Sequence, residues 1–160
     1  MKRICMAAAL VLAASAQAAD LPKEGSFDFT ACWAGTSNLV AFSKTHWANT
    51  FEMTGSTRSN PPGGMFDKNS FRCIGTNASF EKKLQFLTVC EGVDRDGDKR
   101  LTHFETGADG KTVRRFVAGT GKYEGMIETS AGIEPLGPFP TAKPGTFQNC
   151  NRQTGTYKLK

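Results

Sequence analysis

Histidine is scarce in this 160-residue chain, with two in all, His46 and His103, so a zinc site built on three histidines is excluded. No serine sits in a Gly-x-Ser-x-Gly elbow, which leaves a triad hydrolase of that class without its nucleophile turn. After residue 19 no long segment keeps apolar residues at helical spacing, and no apolar run reaches the roughly 20 residues of a membrane helix. Helical bundles and helical membrane spans are thereby disfavoured. Nothing repeats at a fixed period, so a propeller or solenoid is not expected. A basic stripe interleaved with aromatics is also missing, which speaks against nucleic acid as a partner. The densest basic pairs, Lys82-Lys83 and Arg114-Arg115, fit solvated strand positions.

What is present begins with an export signal over residues 1–19. Met1, Lys2 and Arg3 form a positive start, Ile4 to Ala14 an apolar stretch too short to span a bilayer, and Ala16-Gln17-Ala18 a small-x-small cleavage pattern. The expected mature protein, residues 20–160, is a single domain in the periplasm or outside the cell. Without Lys2 and Arg3, 18 basic residues face 15 acidic ones, a small surplus. Cleavage also removes Cys5 and leaves Cys32, Cys73, Cys90 and Cys150, an even number in a compartment where disulfides persist. Four cysteines allow three pairings. The favoured one joins Cys73 to Cys90, on neighbouring strand-like runs, and Cys32 to Cys150, tying the first strand to the last.

Nine strand-like runs separated by turn residues occur near 26–33, 38–43, 47–54, 70–75, 84–92, 100–106, 112–118, 123–129 and 146–158. This pattern predicts an all-β fold, a single antiparallel β-barrel of about eight strands reinforced by disulfides. Asp96-Gly97 and Asp109-Gly110 read as hairpin turns. With two-residue loops, Val89 would face Phe104, Cys90 would face His103, and Glu105 would face Arg114. Leu87, Val89, Phe104, Val113 and Val117 would then form the core face, opposite a mixed face of Phe86, Cys90, Leu101, His103, Glu105, Arg114 and Phe116. Ser59 to Gly64 and the proline-rich Gly132 to Pro144 read as loops at the rim of any site, with Phe139 pinned over one barrel end.

Asp94-Arg95-Asp96-Gly97-Asp98 with Glu105 imitates a calcium loop, but Lys99 stands where the sharp-turn glycine belongs and the flanks alternate like strands. It reads as an acidic hairpin turn, and no metal is expected. His103 and Glu105, alternate residues on one strand near Arg114, are the catalytic candidates, since alternate side chains project together. The same residues also fit a cross-strand salt bridge beside a half-buried histidine. Trp33, Trp47, Phe51 and Tyr123 fit either a pocket lining or plain core.

Gly119-Thr120-Gly121-Lys122-Tyr123-Glu124-Gly125 resembles the Gly-Thr-Gly-Lys-aromatic-x-Gly turn of small antiparallel barrels in the allene oxide cyclase and dirigent (calycin-like) group and of similar exported bacterial barrels. In those barrels the aromatic begins the next strand, and the Asp96 to Lys99 turn is similar to one that precedes the motif. The resemblance implies an eight-stranded barrel with an apolar interior and no cofactor. It transfers no catalytic residue, because the matching positions are turn residues. The leading expectation is a barrel that binds a small apolar molecule, lined by Trp47, Phe86, Phe104, His103 and Tyr123. A cofactor-free isomerase or cyclase using His103 and Glu105, and a filled barrel that binds another envelope protein, are the alternatives. The sequence specifies no oligomeric state.

Overall fold

A computed structural model describes residues 21–107 and 109–160, and its regular structure is almost wholly β. The expected signal sequence lies outside the described residues. The strands are β1 (Glu24–Ser43), β2 (His46–Ser59), β3 (Ser70–Phe80), β4 (Lys83–Val93), β5 (Lys99–Thr106), β6 (Thr112–Gly119), β7 (Ile127–Pro135) and β8 (Thr146–Lys158). They form one antiparallel sheet in the order β6-β5-β4-β3-β2-β1-β8-β7. The sheet curls into a barrel-like shape, and β6 and β7 approach each other without a backbone ladder. Two of the nine expected runs merge, because the segment after Gly35 simply continues β1. Tyr123, expected to begin a strand, instead closes a 3-10 turn over Gly121–Tyr123.

Curvature comes from glycines facing aromatic rings. Gly35 pairs with Phe147, Gly55 with Phe71, Gly75 with Phe51 and Gly155 with Phe27. Each ring folds over its partner glycine; a Cβ at Gly75 would stand 2.6 Å from the Phe51 ring. Removing the side chain on one strand lets the neighbour's ring lie flat on the backbone, which tightens the bend.

Register differs from expectation at the two acidic turns. Val93 pairs with Lys99 across five residues, so Val89 faces His103, Cys90 faces Thr102, and Thr88 faces Phe104. Thr106 pairs with Thr112 across another five-residue turn, so Glu105 faces Val113 and Phe104 faces Arg114. An odd loop in place of a two-residue one moves the pairing by one position, and the side-chain period of two does the rest. The expected core face is therefore wrong in most of its members: Leu87, Val89 and Val117 are exposed, while Phe104 points inward. Arg114, read both as a solvated strand position and as a member of the mixed face, is buried.

One end of the barrel is filled. After Ser59 to Gly64 the chain turns inward, and Phe66 packs edge-on against Phe27 and Phe29 with ring centres 5.3 and 5.4 Å away, beside Tyr123. Met65 and Met126 complete this buried cluster. Phe66 adopts a left-handed φ of 67°, which costs about 1–3 kcal/mol and must be imposed by its surroundings. Thr57 Oγ1 donates to Phe66 O at 2.5 Å, and Asp67 accepts from the N–H groups of Ser59 and Gly63 at 3.0 and 3.1 Å. Phe139, expected to pin over a barrel end, instead lies half-exposed beside β8, bridged to Gln148.

The disulfides are Cys32–Cys150 and Cys73–Cys90, as expected. Each joins residues directly opposite on paired strands. Cys73 and Cys90 are buried on the inner face, whereas Cys32 alternates outward between Ala31 and Trp33.

Candidate functional site

Above the Phe66 plug the barrel holds a cavity of about 230 Å³. Trp33 of β1, Met53 of β2, Phe71 of β3, Phe86 of β4 and Phe104 of β5 supply apolar walls. Strand alternation aims them inward, and the glycine positions leave room for their rings. Phe86 also stacks on Phe51 at 6.2 Å. The cavity reaches the unpaired seam, with Thr112 of β6 and Ile133 and Pro135 of β7 among its lining residues.

Its floor is charged. Arg100 and Arg114, each 6 % exposed, come from neighbouring strands and line the cavity. The Arg100 guanidinium lies over the Phe66 ring at 4.0 Å, a cation–π contact. Gly92, directly opposite on β4, leaves space for the Arg100 stem, since a Cβ there would approach Arg100 Nε to 3.1 Å. With the Asn69 amide oriented to satisfy both neighbours, its oxygen accepts from Arg100 Nη1 at 2.6 Å and its nitrogen donates to Asp67 O at 2.9 Å. Arg114 donates through Nη1 to Glu128 of β7, and both side chains are 1 % exposed. This ion pair bridges the seam where the ladder is missing.

Burial sets the protonation energetics. It pulls the Arg100 pKa down to about 10, with Arg114 pushing the same way, so the group stays protonated at neutral pH. Burial also lowers the Arg114 pKa and raises that of Glu128, and the attraction between the two only partly offsets it. Several polar atoms on the cavity wall have no partner among the described residues: Thr88 Oγ1, Arg114 Nε and Gln153 Oε1.

No protein-family model, curated protein or solved structure matches this chain.

Of the sequence-predicted site residues, Phe86 and Phe104 line the cavity together. His103 and Glu105 alternate with Phe104 and so face outward, with Glu105 accepting from Arg115 Nε at 3.1 Å on the exterior. Glu105 thus makes its cross-strand salt bridge with Arg115 and not Arg114, and the expected cluster with Arg114 does not form. Tyr123 is buried in the plug cluster, not in the cavity wall. Trp47 pairs with Ala41 and Ser79 toward the β1–β2 tip, outside the lining. Trp33, an aromatic candidate, does line it. Arg100, Thr88 and Thr102 escape a reading from sequence, because a core-seeking pattern assigns polar residues outward, whereas Arg114 stands on the expected mixed face together with Phe86 and Cys90. The available signal is Gly92, which marks room for a large side chain once register is known.

The acidic turn and the Gly119 to Gly125 motif dock on each other. Lys122 Nζ stands 2.8 Å from Asp94, 2.6 Å from Asp96 and 3.7 Å from Asp98, occupying the centre of the apparent calcium loop. Gly121 is held at φ 53° against the Asp98 carboxylate, so a side chain there would collide. Burial pushes the Asp94 carboxyl up, but Lys122 and the Asp96 N–H outweigh it and hold the pKa below its ordinary value.

Proposed function

We propose that the protein is an exported barrel that binds a small, largely apolar molecule in its interior. The observation that carries this reading is the cavity of about 230 Å³ with walls of Trp33, Phe71, Phe86 and Phe104. An apolar cavity of about 150 Å³ accepts benzene, and drug-sized ligands occupy about 300–1,000 Å³. The size thus suits one ring with a short chain. The cavity extends to the unpaired seam between β6 and β7. Export is supported by the residue 1–19 pattern and by two disulfides, which persist in oxidising compartments. Among the described residues no helix is long and apolar enough to cross a membrane. Kinship with the allene oxide cyclase and dirigent barrels is proposed on the Gly119 to Gly125 motif and the Asp96 to Lys99 turn that precedes it.

Native mass spectrometry of protein isolated from its own cells tests the reading, with Thr102→Phe filling the cavity as the control. The expected result is a small-molecule adduct on the natural protein and a bare mass for the variant. An adduct retained by Thr102→Phe would place the ligand elsewhere. An isomerase reading built on His103 and Glu105 loses its geometric basis, because both face away from the cavity. A partner-binding protein is the second reading, favoured by Phe42, 89 % exposed at the β1–β2 tip beside exposed Leu39 and Val40. Surface burial of that tip in a captured complex would support it.

A further inference from the structure

We propose that the molecule held in the barrel carries a single carboxylate, seated on the Arg100 guanidinium at the cavity floor, with an apolar ring against Trp33, Phe71 and Phe104. This inference rests on the interior-binding reading and specifies the chemistry of its ligand.

Charge balance comes first. The floor and its seam hold two guanidinium groups, Arg100 and Arg114, against one carboxylate, Glu128. Glu128 is committed to Arg114, and among the described residues no carboxylate lies within 4.0 Å of Arg100. Asn69 takes one of the five guanidinium N–H donors, and the Phe66 ring covers one face. A buried cation whose opposite charges, Glu128 and Asp94, are each paired with another cation is disfavoured. Neutralisation by deprotonation is closed to Arg100 at neutral pH, since its pKa stays near 10. A ligand anion removes the deficit. One surplus positive charge calls for a monoanion, and the planar fork of a guanidinium matches a carboxylate.

The partnerless wall atoms point to the same chemistry independently. Thr88 Oγ1 and Arg114 Nε are buried donors facing the cavity, available to the ligand's oxygens. Gln153 Oε1 is a buried acceptor there, because the Gln153 amide nitrogen already donates to Asn151 Oδ1 at 2.9 Å. It provides for one hydroxyl or N–H on the ligand body. A fully apolar guest would leave all of these unmet, at a cost of about 1–3 kcal/mol for each group.

The test is titration calorimetry of the full disulfide-bonded protein with hydrocinnamate and with hydrocinnamamide, which share size and shape but not charge. The carboxylate is expected to bind about thirtyfold or more tightly than the amide, the range for a buried charge pair. Arg100→Gln should erase the preference by bringing the two compounds to equal affinity, and Thr88→Val, a milder change, should weaken the carboxylate severalfold. The matched pair on the natural protein needs no variant, so a poorly folding Arg100→Gln does not remove the test. Equal binding of the two compounds would overturn the anion inference and leave interior binding standing. A carboxylate preference that survives Arg100→Gln would also overturn it. Failure of both compounds to bind would count against the interior-binding reading itself.

Discussion

Replacing Glu128 by glutamine tests how the open seam is held. The Arg114–Glu128 pair crosses from β6 to β7 with both side chains 1 % exposed, where no backbone ladder joins the strands. Removing one partner of a buried ion pair costs about 3–5 kcal/mol, because the other charge is stranded. Glutamine keeps the volume and one acceptor, so the low end, about 3 kcal/mol, applies. For a chain of this size that lowers Tm by about 10 °C. The double variant Arg114→Met with Glu128→Leu removes both charges. It forfeits Arg114's contacts over the Phe27, Phe29 and Phe66 rings, which at 5.3–5.8 Å are at the weak end, about 0.5 kcal/mol each, but also the desolvation cost of the pair. It should therefore be less damaging than Glu128→Gln alone. Urea unfolding followed by circular dichroism under non-reducing conditions gives the comparison. A Glu128→Gln protein within about 1 kcal/mol of the natural one, or a double variant worse than the single, would refute the reasoning.

Three further outcomes follow from the geometry. Lys122→Met should destabilise by about 2 kcal/mol at pH 7, the worth of charge-assisted hydrogen bonds. The depressed Asp94 pKa makes its contribution fully present above about pH 4 and lost as pH falls through the lower folded value, so the penalty should shrink in acid melts. Gly75→Ala, placing a Cβ 2.5 Å from Leu87 O, should cost about 1–3 kcal/mol in the same unfolding assay, with the ring of Phe51 displaced. Replacing Cys32 and Cys150 by serine opens a 118-residue separation and should cost about 4.9 kcal/mol, against about 3.1 kcal/mol for the 17-residue separation of Cys73 and Cys90; equal losses would show that chain entropy does not dominate.

Strand class, the positions of the turns and both disulfides were legible because each depends on local chemistry or on simple ends-meet topology. Sidedness was not. Asp96-Gly97 and Asp109-Gly110 mark their turns correctly, yet Asp94 N–H bonded to Asp98 O and Gly107 N–H bonded to Lys111 O give odd-length loops that no dipeptide rule distinguishes. The apolar pattern then misleads, because β4 carries Leu87 and Val89 outward while Thr88 and Cys90 face in. Phe66 was hidden for a different reason. It sits in a loop, and its insertion depends on long-range partners such as Phe27 and Arg100. The two motifs singled out in the sequence, the acidic turn and the Gly119 to Gly125 string, turn out to be halves of one contact through Lys122.

The most direct measurement for interior binding is an amide and indole NMR titration of the natural protein with hydrocinnamate. Saturable shifts confined to the Trp33 indole and the amides of Thr88, Thr102 and Phe104 are the predicted result. Shifts limited to the outer residues Ile74, Leu87 and Val89, or none up to the solubility limit, would contradict the account.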